Sequence, residues 1–427
     1  MDQNPVFVHA SDLHLGSPLG GLGEGLSSEQ RRGLLIRAEK AFDNLIDETI
    51  RVNAEFLVVA GDIYDSGECE PYIRERFASG VQRLLNAGVG VYLIHGNHDP
   101  ATSNRSRVVS LPDDVKVFAP WTPLDGDPKK GPTGNVEQVT HVLRDGRSVV
   151  IAGVSYRSNN EPHNLTPLFA GISRGDSCAV IGILHTGSKG GKGTYAPCTS
   201  SDLESKRVDY WALGHIHTQK VVSMGDNRYW AYSGNPQGRD IGEPDAHGAL
   251  VVPILSRGVG KPTFLELDEF RFFEVKVDCE GVMDESIDKL AELIGKSLDD
   301  LGQSKPLIVR LNLAGRSNLV KVPNKYGTKG ALEQSLTNSL SSGSLNGGYV
   351  EEVSSNLLPL LDMAQLRERD DIVGAVIRVT EELDPIRLLQ DELGESMYLS
   401  DEEKEQLKSE IRSDLIRSIV SSEEVTT

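Results

Sequence analysis

The sequence predicts an α/β protein: a main unit built on largely parallel strands with helices between them, then a smaller α+β unit and a helical carboxyl-terminal segment. Three observations carry this expectation. Short apolar runs rich in β-branched and aromatic residues recur through the first half, at PVFVHA (5–10), FLVVA (56–60), VGVYLIH (89–95), AVIGIL (179–184) and DYWAL (209–213). Segments of helical period separate the first three, and strand, helix, strand order calls for right-handed crossovers between parallel neighbours. After about Asp268 the texture changes to alternating short strands and amphipathic helices.

Taken in order, the first run is followed by SEQRRGLLIRAEKAFDNLIDETIRVN, in which Leu34, Leu35, Ala38, Ala41, Phe42, Leu45 and Ile46 recur at helical spacing. RERFASGVQRLLNAG forms the next helix and closes on Gly88, placed as a C-cap. In the second half RFFEVKVDC, PLIVRLNLAG and GYVEEVSS read as strands, and DESIDKLAELIGKSLDDLG and KGALEQSLTNSL as helices. Residues 1–268 are thus expected to form the main domain, 269–355 an α+β domain and 356–427 an acidic helical region. In the last of these, Leu407, Ile411, Leu415 and Ile419 share one stripe behind a capping-box-like Ser400-Asp401-Glu402-Glu403.

The 427 residues carry 44 Lys+Arg against 63 Asp+Glu, a net charge of −19. Residues 351–427 hold 20 of the acidic and 8 of the basic residues, so −12 of the total lies there and −7 in the first 350. That acidity disfavours a polyanionic partner without excluding one, because bound divalent cations would neutralise some of these carboxylates. Cys69, Cys178, Cys198 and Cys279 form no CxxC pair, which speaks against a disulfide framework or a structural zinc site. No apolar run has the length of a membrane span, and MDQNP lacks the basic start of a signal peptide; the expected compartment is a reducing cytoplasm.

Each apolar run ends in a polar cluster: Ser11-Asp12-Leu13-His14, Gly61-Asp62-Ile63-Tyr64-Asp65, Gly96-Asn97-His98-Asp99, His185-Thr186-Gly187 and Gly214-His215-Ile216-His217. SDLH, GD and GNHD are each also common turns or caps, whereas GHIH is more specific, because imidazoles two apart just past a strand have few structural uses. Together, at the carboxyl ends of parallel strands, residues remote in sequence can converge on one edge. Asp12, His14, Asp62, Asn97, His185, His215 and His217 then offer carboxylate, amide and imidazole donors without thiolate, a set suited to Mn²⁺, Fe²⁺ or Zn²⁺. Seven donors exceed what one ion takes from protein; two ions sharing Asp62 use them better.

In this order the motifs DxH, GDxxD, GNH, H and GHxH resemble the calcineurin-like metallophosphoesterase superfamily. YAPC (195–198), YWALGHIH (210–217) and SGNPQGR (233–239) look more narrowly like its YhaO-like and SbcD-like branch of DNA-repair exonucleases. The resemblance covers residues 5 to about 255. It implies a four-layer α/β/β/α sandwich with a small α+β capping domain. One divalent ion, Mn²⁺ above all, would sit on Asp12, His14, Asp62 and His217, and a second on Asp62, Asn97, His185 and His215. His98 would be the catalytic donor to the leaving oxygen, oriented by Asp65. The implied partners are DNA, a coiled-coil ATPase of the SbcC or YhaN kind and a second copy of the chain. GDIYDSG and GNHD lack the arginine and glutamate of the superfamily's protein phosphatases. Rival readings are a small-substrate phosphodiesterase or phosphatase on the same core, and a weakly catalytic regulatory subunit of an ATPase.

Four further assignments concern substrate contacts, the remaining histidines and the carboxyl-terminal stripe. Arg239 is a candidate phosphate contact because guanidinium grips phosphate bidentately. Lys189 and Lys192, among glycines just after His185, either contact a phosphate backbone or belong to a plain flexible loop. His9 and His95 read as core histidines, and His141, His163 and His247 as surface ones. The carboxyl-terminal stripe either packs on its own domain or docks the ATPase.

Overall fold

The computed structural model describes residues 4–65, 70–102, 111–122, 131–187, 195–326, 330–341, 343–360, 367–371, 374–375 and 378–379. The chain divides into two compact units. The first comprises Met1–Glu274, Leu301–Arg310 and Glu333–Glu352, and the second Val275–Asp300, Leu311–Leu332 and Val353–Thr427.

The first unit opens with β1 (Val6–Ala10), α1 (Ser28–Arg51), β2 (Phe56–Ala60), α2 (Pro71–Asn86), β3 (Gly90–Ile94) and β4 (Lys116–Val117). The expected helices are both present. α1 starts in a full capping box, with Ser27 Oγ accepting from Gln30 N–H and Gln30 Oε1 from Ser27 N–H, while Gly88 follows α2 with φ +74°. The chain continues through β5 (Glu137–Val142), β6 (Ser148–Val154), β7 (Ala179–His185), α3 (Ser200–Glu204), β8 (Tyr210–Gly214), β9 (Lys220–Gly225), β10 (Arg228–Tyr232), β11 (Gly248–Pro253) and β12 (Thr263–Glu266).

These strands make two six-stranded sheets, ordered β12-β11-β1-β2-β3-β4 and β5-β6-β7-β8-β10-β9. β1 to β4 pair in parallel in the first, as do β6, β7, β8 and β10 in the second, while β11, β12, β5 and β9 add antiparallel edges. The five strand ends singled out in the sequence therefore belong to two sheets rather than one. Period-2 alternation explains how the sheets stack. Val58 and Ala60 of β2 and Ile181 and Ile183 of β7 face one shared core with Phe7, Phe56 and Tyr210. The alternate residues Leu57 and Val59 turn to Phe42, Leu45, Phe77 and Leu84 of the two helices.

On the far side Val150, Ala152 and Val154 pack with Leu168, Phe169, Leu203 and Trp211, under a 3₁₀ turn at Thr166–Gly171 and α3. The result is the four-layer α/β/β/α sandwich, with the second helical layer reduced to short pieces. Trp211 is fully buried, so truncating it to alanine would cost about 3–5 kcal/mol.

Beyond these lie β13 (Arg271–Asp278), α4 (Ile287–Asp299), β14 (Leu307–Arg316), α5 (Lys321–Lys325), α6 (Ala331–Leu340) and β15 (Tyr349–Leu358). The three strands form a sheet in the order β13-β14-β15. In the second unit α4 is capped by Ser286 and buries Leu290, Ile294 and Leu298, the apolar face its sequence period called for. The stripe of Leu407, Ile411, Leu415 and Ile419 lies outside the described residues. Among the described residues, no helix is long and apolar enough to cross a membrane.

Candidate metal centre

The carboxyl ends of β1, β2 and β3 in one sheet and of β7 and β8 in the other deliver all seven predicted donors to one place. Asp12 and His14 follow β1, Asp62 follows β2, Asn97 follows β3, His185 ends β7, and His215 and His217 follow β8. Among the described residues, three groups have donor atoms within 4.8 Å of one another: Asp12, His14 and His217; Asp62, His185 and His215; and His14, Asp62 and His98. Asp62 and His14 each belong to two of them.

The backbone is bent to achieve this. Asp12, His14, Asp62 and His215 all have φ in the left-handed region, at 52°, 42°, 50° and 96°. Such angles are uncommon for residues bearing a Cβ, and here they recur where side chains must turn into one site. Two glycines permit the closeness. A Cβ on Gly96 would stand 2.2 Å from Asp62 Oδ1, and one on Gly214 would stand 2.0 Å from the Ala60 carbonyl and 2.9 Å from His185 Nδ1. Asp99 ties the β2 and β3 loops together, accepting from Gly96 N–H at 2.8 Å and Ile63 N–H at 3.0 Å.

Hydrogen bonds to one atom of each donor decide which atom is left for a ligand. The His98 N–H donates to Asp62 Oδ1 at 2.8 Å, which leaves Oδ2 facing His185 Nε2 at 3.3 Å and His14 Nε2 at 3.9 Å. His185 Nδ1 is 2.9 Å from the Ala60 carbonyl and must donate to it, so Nε2 is the nitrogen left to take a metal ion. His217 Nδ1 meets Glu243 Oε1 at 2.5 Å, with the same effect on its Nε2. His215 turns the other way: its Nδ1 lies 3.0 Å from Asn97 Oδ1, which also lies 3.0 Å from His185 Nε2. Asp12 is held by the His215 N–H at 2.9 and 3.0 Å and by Ser11 Oγ at 2.6 Å.

The cluster has the electrostatics of a cation site. His14 Nε2 and His217 Nε2 stand 3.1 Å apart, two ring nitrogens whose lone pairs repel unless a proton or a metal ion lies between them. Burial alone would depress the His185 imidazole, but the Asp62 carboxylate outweighs it and lifts the group to about 9. Burial would raise Asp62 in turn, yet His185 and His14 hold it below the usual carboxylate range. Burial and the neighbouring His185 push His215 down to about 3, and burial also lowers His14. One imidazolium thus balances Asp62 in the metal-free chain, and divalent ions binding these donors would displace that proton.

The surroundings of His98 depart from expectation. The side chain of Asp65 is the expected orienting group, but its backbone carbonyl takes that place, accepting from His98 Nδ1 at 2.8 Å. The Asp65 carboxylate instead lies 3.0 Å from His14 Nδ1 and 2.7 Å from an Arg239 guanidinium nitrogen. Arg239 is additionally bonded through Nε to Ser17 Oγ at 3.2 Å and lines a cavity of about 200 Å³ beside His14. Lys189 and Lys192 lie outside the described residues.

His9 is fully buried and bonded to Tyr210 at 2.9 Å, as a core histidine should be. His247 is buried as well rather than at the surface, bonded to Asn235 Oδ1 at 2.5 Å and the Glu243 carbonyl at 3.1 Å. Glu243, bonded to His217, is the residue of this cluster that sequence reasoning missed. Burial would raise its carboxyl, yet His217 and Asn235 hold it down at about 2. Its only signal was position, four residues past Arg239 in a polar loop.

A two-sheet sandwich with an Asp, Asn and His cluster at the strand ends defines a class of phosphate-ester hydrolases. The family model for calcineurin-like phosphoesterase matches residues 5–219, and the chain belongs to that family, whose members use divalent metal ions.

Among curated proteins, the chain is 26% identical over 345 residues to the uncharacterized metallophosphoesterase YhaO of Bacillus subtilis, covering 78% of this chain and 76% of that one. It is 24% identical over 319 residues to the DNA double-strand break repair protein Mre11 of Archaeoglobus fulgidus, covering 68% and 65%. It is 25% identical over 253 residues to the SbcD component of the nuclease SbcCD of Escherichia coli, covering 54% and 60%. The chain thus spans less than two thirds of the length of the latter two.

Proposed function

We propose that this chain is a metal-dependent DNA nuclease that hydrolyses phosphodiester bonds at a two-ion centre. The observation that carries the reading is Asp62: its Oδ1 is taken by the His98 N–H and its Oδ2 faces histidines of both flanking groups, the position of a shared ligand. Asp12, His14, Asp62 and His217 would hold one ion, and Asp62, Asn97, His185 and His215 the other, with Mn²⁺ the favoured metal. Bound there, the ions supply Lewis acidity toward the phosphate oxygens and the attacking water.

The chain's own groups do the rest. The Asp65 carbonyl keeps the His98 proton on Nδ1, so Nε2 is the atom that exchanges a proton with the leaving oxygen. Arg239 is fixed through Nε by Ser17 and through one terminal nitrogen by Asp65, which holds the guanidinium plane beside the cluster for a phosphate oxygen. The preference for DNA rests on the relatives named for break repair and nuclease action, at 24–25% identity. By the same reading the chain works in the cytoplasm with a coiled-coil ATPase of the SbcC or YhaN kind.

The test is to incubate purified protein and Mn²⁺ with end-labelled single- and double-stranded DNA, beside a cyclic nucleotide and a chromogenic phosphodiester. DNA cleavage abolished by chelator and restored by Mn²⁺ is expected. Hydrolysis of the small esters alone would replace the nuclease reading with a small-substrate phosphodiesterase.

A further inference from the structure

Away from the metal centre, the opposite ends of the second sheet's strands line an open groove of about 940 Å³. Its charge is unusual for this chain, which has 63 acidic against 44 basic residues. Lys206, Arg207, Arg228 and Arg257 all line it, with Arg174 a fifth cation. Among the described residues, its carboxylates are Glu204 and Asp209. Asp209 is already committed: it takes two bonds from Arg174 at 2.6 Å and accepts the Val180 N–H at 2.7 Å.

The other four cations have no carboxylate partner among the described residues. Arg228 reaches only the backbone carbonyls of Glu204 and Met224, each at 3.5 Å. Several surface arginines elsewhere are paired with carboxylates, among them Arg51 with Glu48, Arg76 with Asp43 and Arg147 with Asp145. Four unneutralised cations on one concave surface of an acidic protein raise the local potential and attract polyanions.

The shape of the groove narrows the ligand. It is far larger than a single phosphate, and Ser173 and Ser205 add hydroxyl groups, yet among the described residues no aromatic side chain lines it. A base would find no stacking platform, so the fit is to a sugar-phosphate backbone read without sequence. Lys206, Arg207 and Asp209 precede β8, Gly175 precedes β7 and Arg228 opens β10, whereas His185 and His215 lie at the far ends of β7 and β8. At about 3.3 Å per residue, β7 separates the two by roughly 20 Å.

We propose that this groove is a second DNA-backbone contact, remote from the hydrolytic centre, that retains the substrate. The proposal rests on the nuclease reading given above. A contact of this kind contributes to affinity and to KM, and leaves kcat alone.

The test uses the full chain with Mn²⁺ and the triple variant Lys206→Gln, Arg207→Gln, Arg257→Gln, whose side chains make no hydrogen bond or ion pair among the described residues. Binding of a fluorescent 30-mer duplex is followed from 50 to 200 mM salt. Each lost phosphate contact lowers the slope of log K against log salt by about 0.9, so the variant should lose roughly 2 to 3 units of slope and bind at least tenfold more weakly at the higher salt. KM for DNA should rise with kcat unchanged, and hydrolysis of a chromogenic phosphodiester should match wild type, which also shows that the variant is folded. Wild-type affinity and slope in the variant would overturn the groove while sparing the nuclease reading. A wild-type protein that neither binds nor cleaves DNA would overturn both.

Discussion

Nδ1 of His217 lies 2.5 Å from Oε1 of Glu243, a hydrogen bond that leaves the other ring nitrogen of His217 facing His14 Nε2, 3.1 Å away. A carboxylate behind a metal-facing histidine fixes its tautomer and raises its basicity. Glu243 also accepts from Asn235 Nδ2 at 2.8 Å and from the Arg239 N–H at 2.9 Å, so the same side chain anchors the loop that carries Arg239.

Glu243→Gln keeps an acceptor near His217 but removes its charge, and metal affinity should drop by about 10- to 100-fold. Glu243→Ala should drop it further. Titration calorimetry with Mn²⁺ measures both, and an alanine variant that binds as tightly as wild type would show that Glu243 is only a loop anchor.

His98 and Asp65 separate proton transfer from ligand support. His98→Ala should cut turnover by about 10²- to 10⁴-fold with metal content unchanged. Asp65→Asn keeps the backbone carbonyl that holds His98, while weakening the contacts to His14 and Arg239. It should therefore loosen metal binding and cost less turnover than His98→Ala. Turnover lost to the same degree with metal binding intact would instead place the orienting role on the carboxylate.

The core predicts an acid response independent of the metals. Burial pushes His9 down to about 3, so it stays neutral in the folded chain, whereas in the unfolded chain it takes up a proton near 6.5. Its folded value is the lower one, so the stability it confers is intact above 6.5 and is lost as pH falls below that. Between pH 7 and pH 5 the loss is about 2 kcal/mol. His9→Gln retains a partner for Tyr210 without the titration, and its Tm should fall less than that of wild type over this range. Parallel Tm curves would contradict the assignment.

The fold was legible where sequence period is strong. The runs at 56–60 and 179–184 mark β2 and β7, the helical stripe from Leu34 to Ile46 marks α1, and the five second-half elements stand where their patterns put them. Pattern alone does not reveal that the strand ends belong to two sheets, because neighbours across a sandwich leave no periodic trace; that came from family resemblance.

At the site, residues fixed by strand-end motifs were readable in advance as a converging set. Partners set by backbone direction were not. Whether Asp65 offers its carbonyl or its carboxylate to His98 is set by the path of the loop backbone, which residue type does not encode, and Glu243 reaches His217 through loop geometry across 26 positions.

The most direct test of the account is the metal content of Asp62→Asn. If one carboxylate is shared by two sites, wild type loaded with Mn²⁺ and freed of excess should carry about two ions per chain by plasma mass spectrometry. Asp62→Asn should then fall below one, with phosphodiester hydrolysis abolished and the far-ultraviolet spectrum unchanged. A folded Asp62→Asn variant that keeps both ions would contradict the shared-ligand centre.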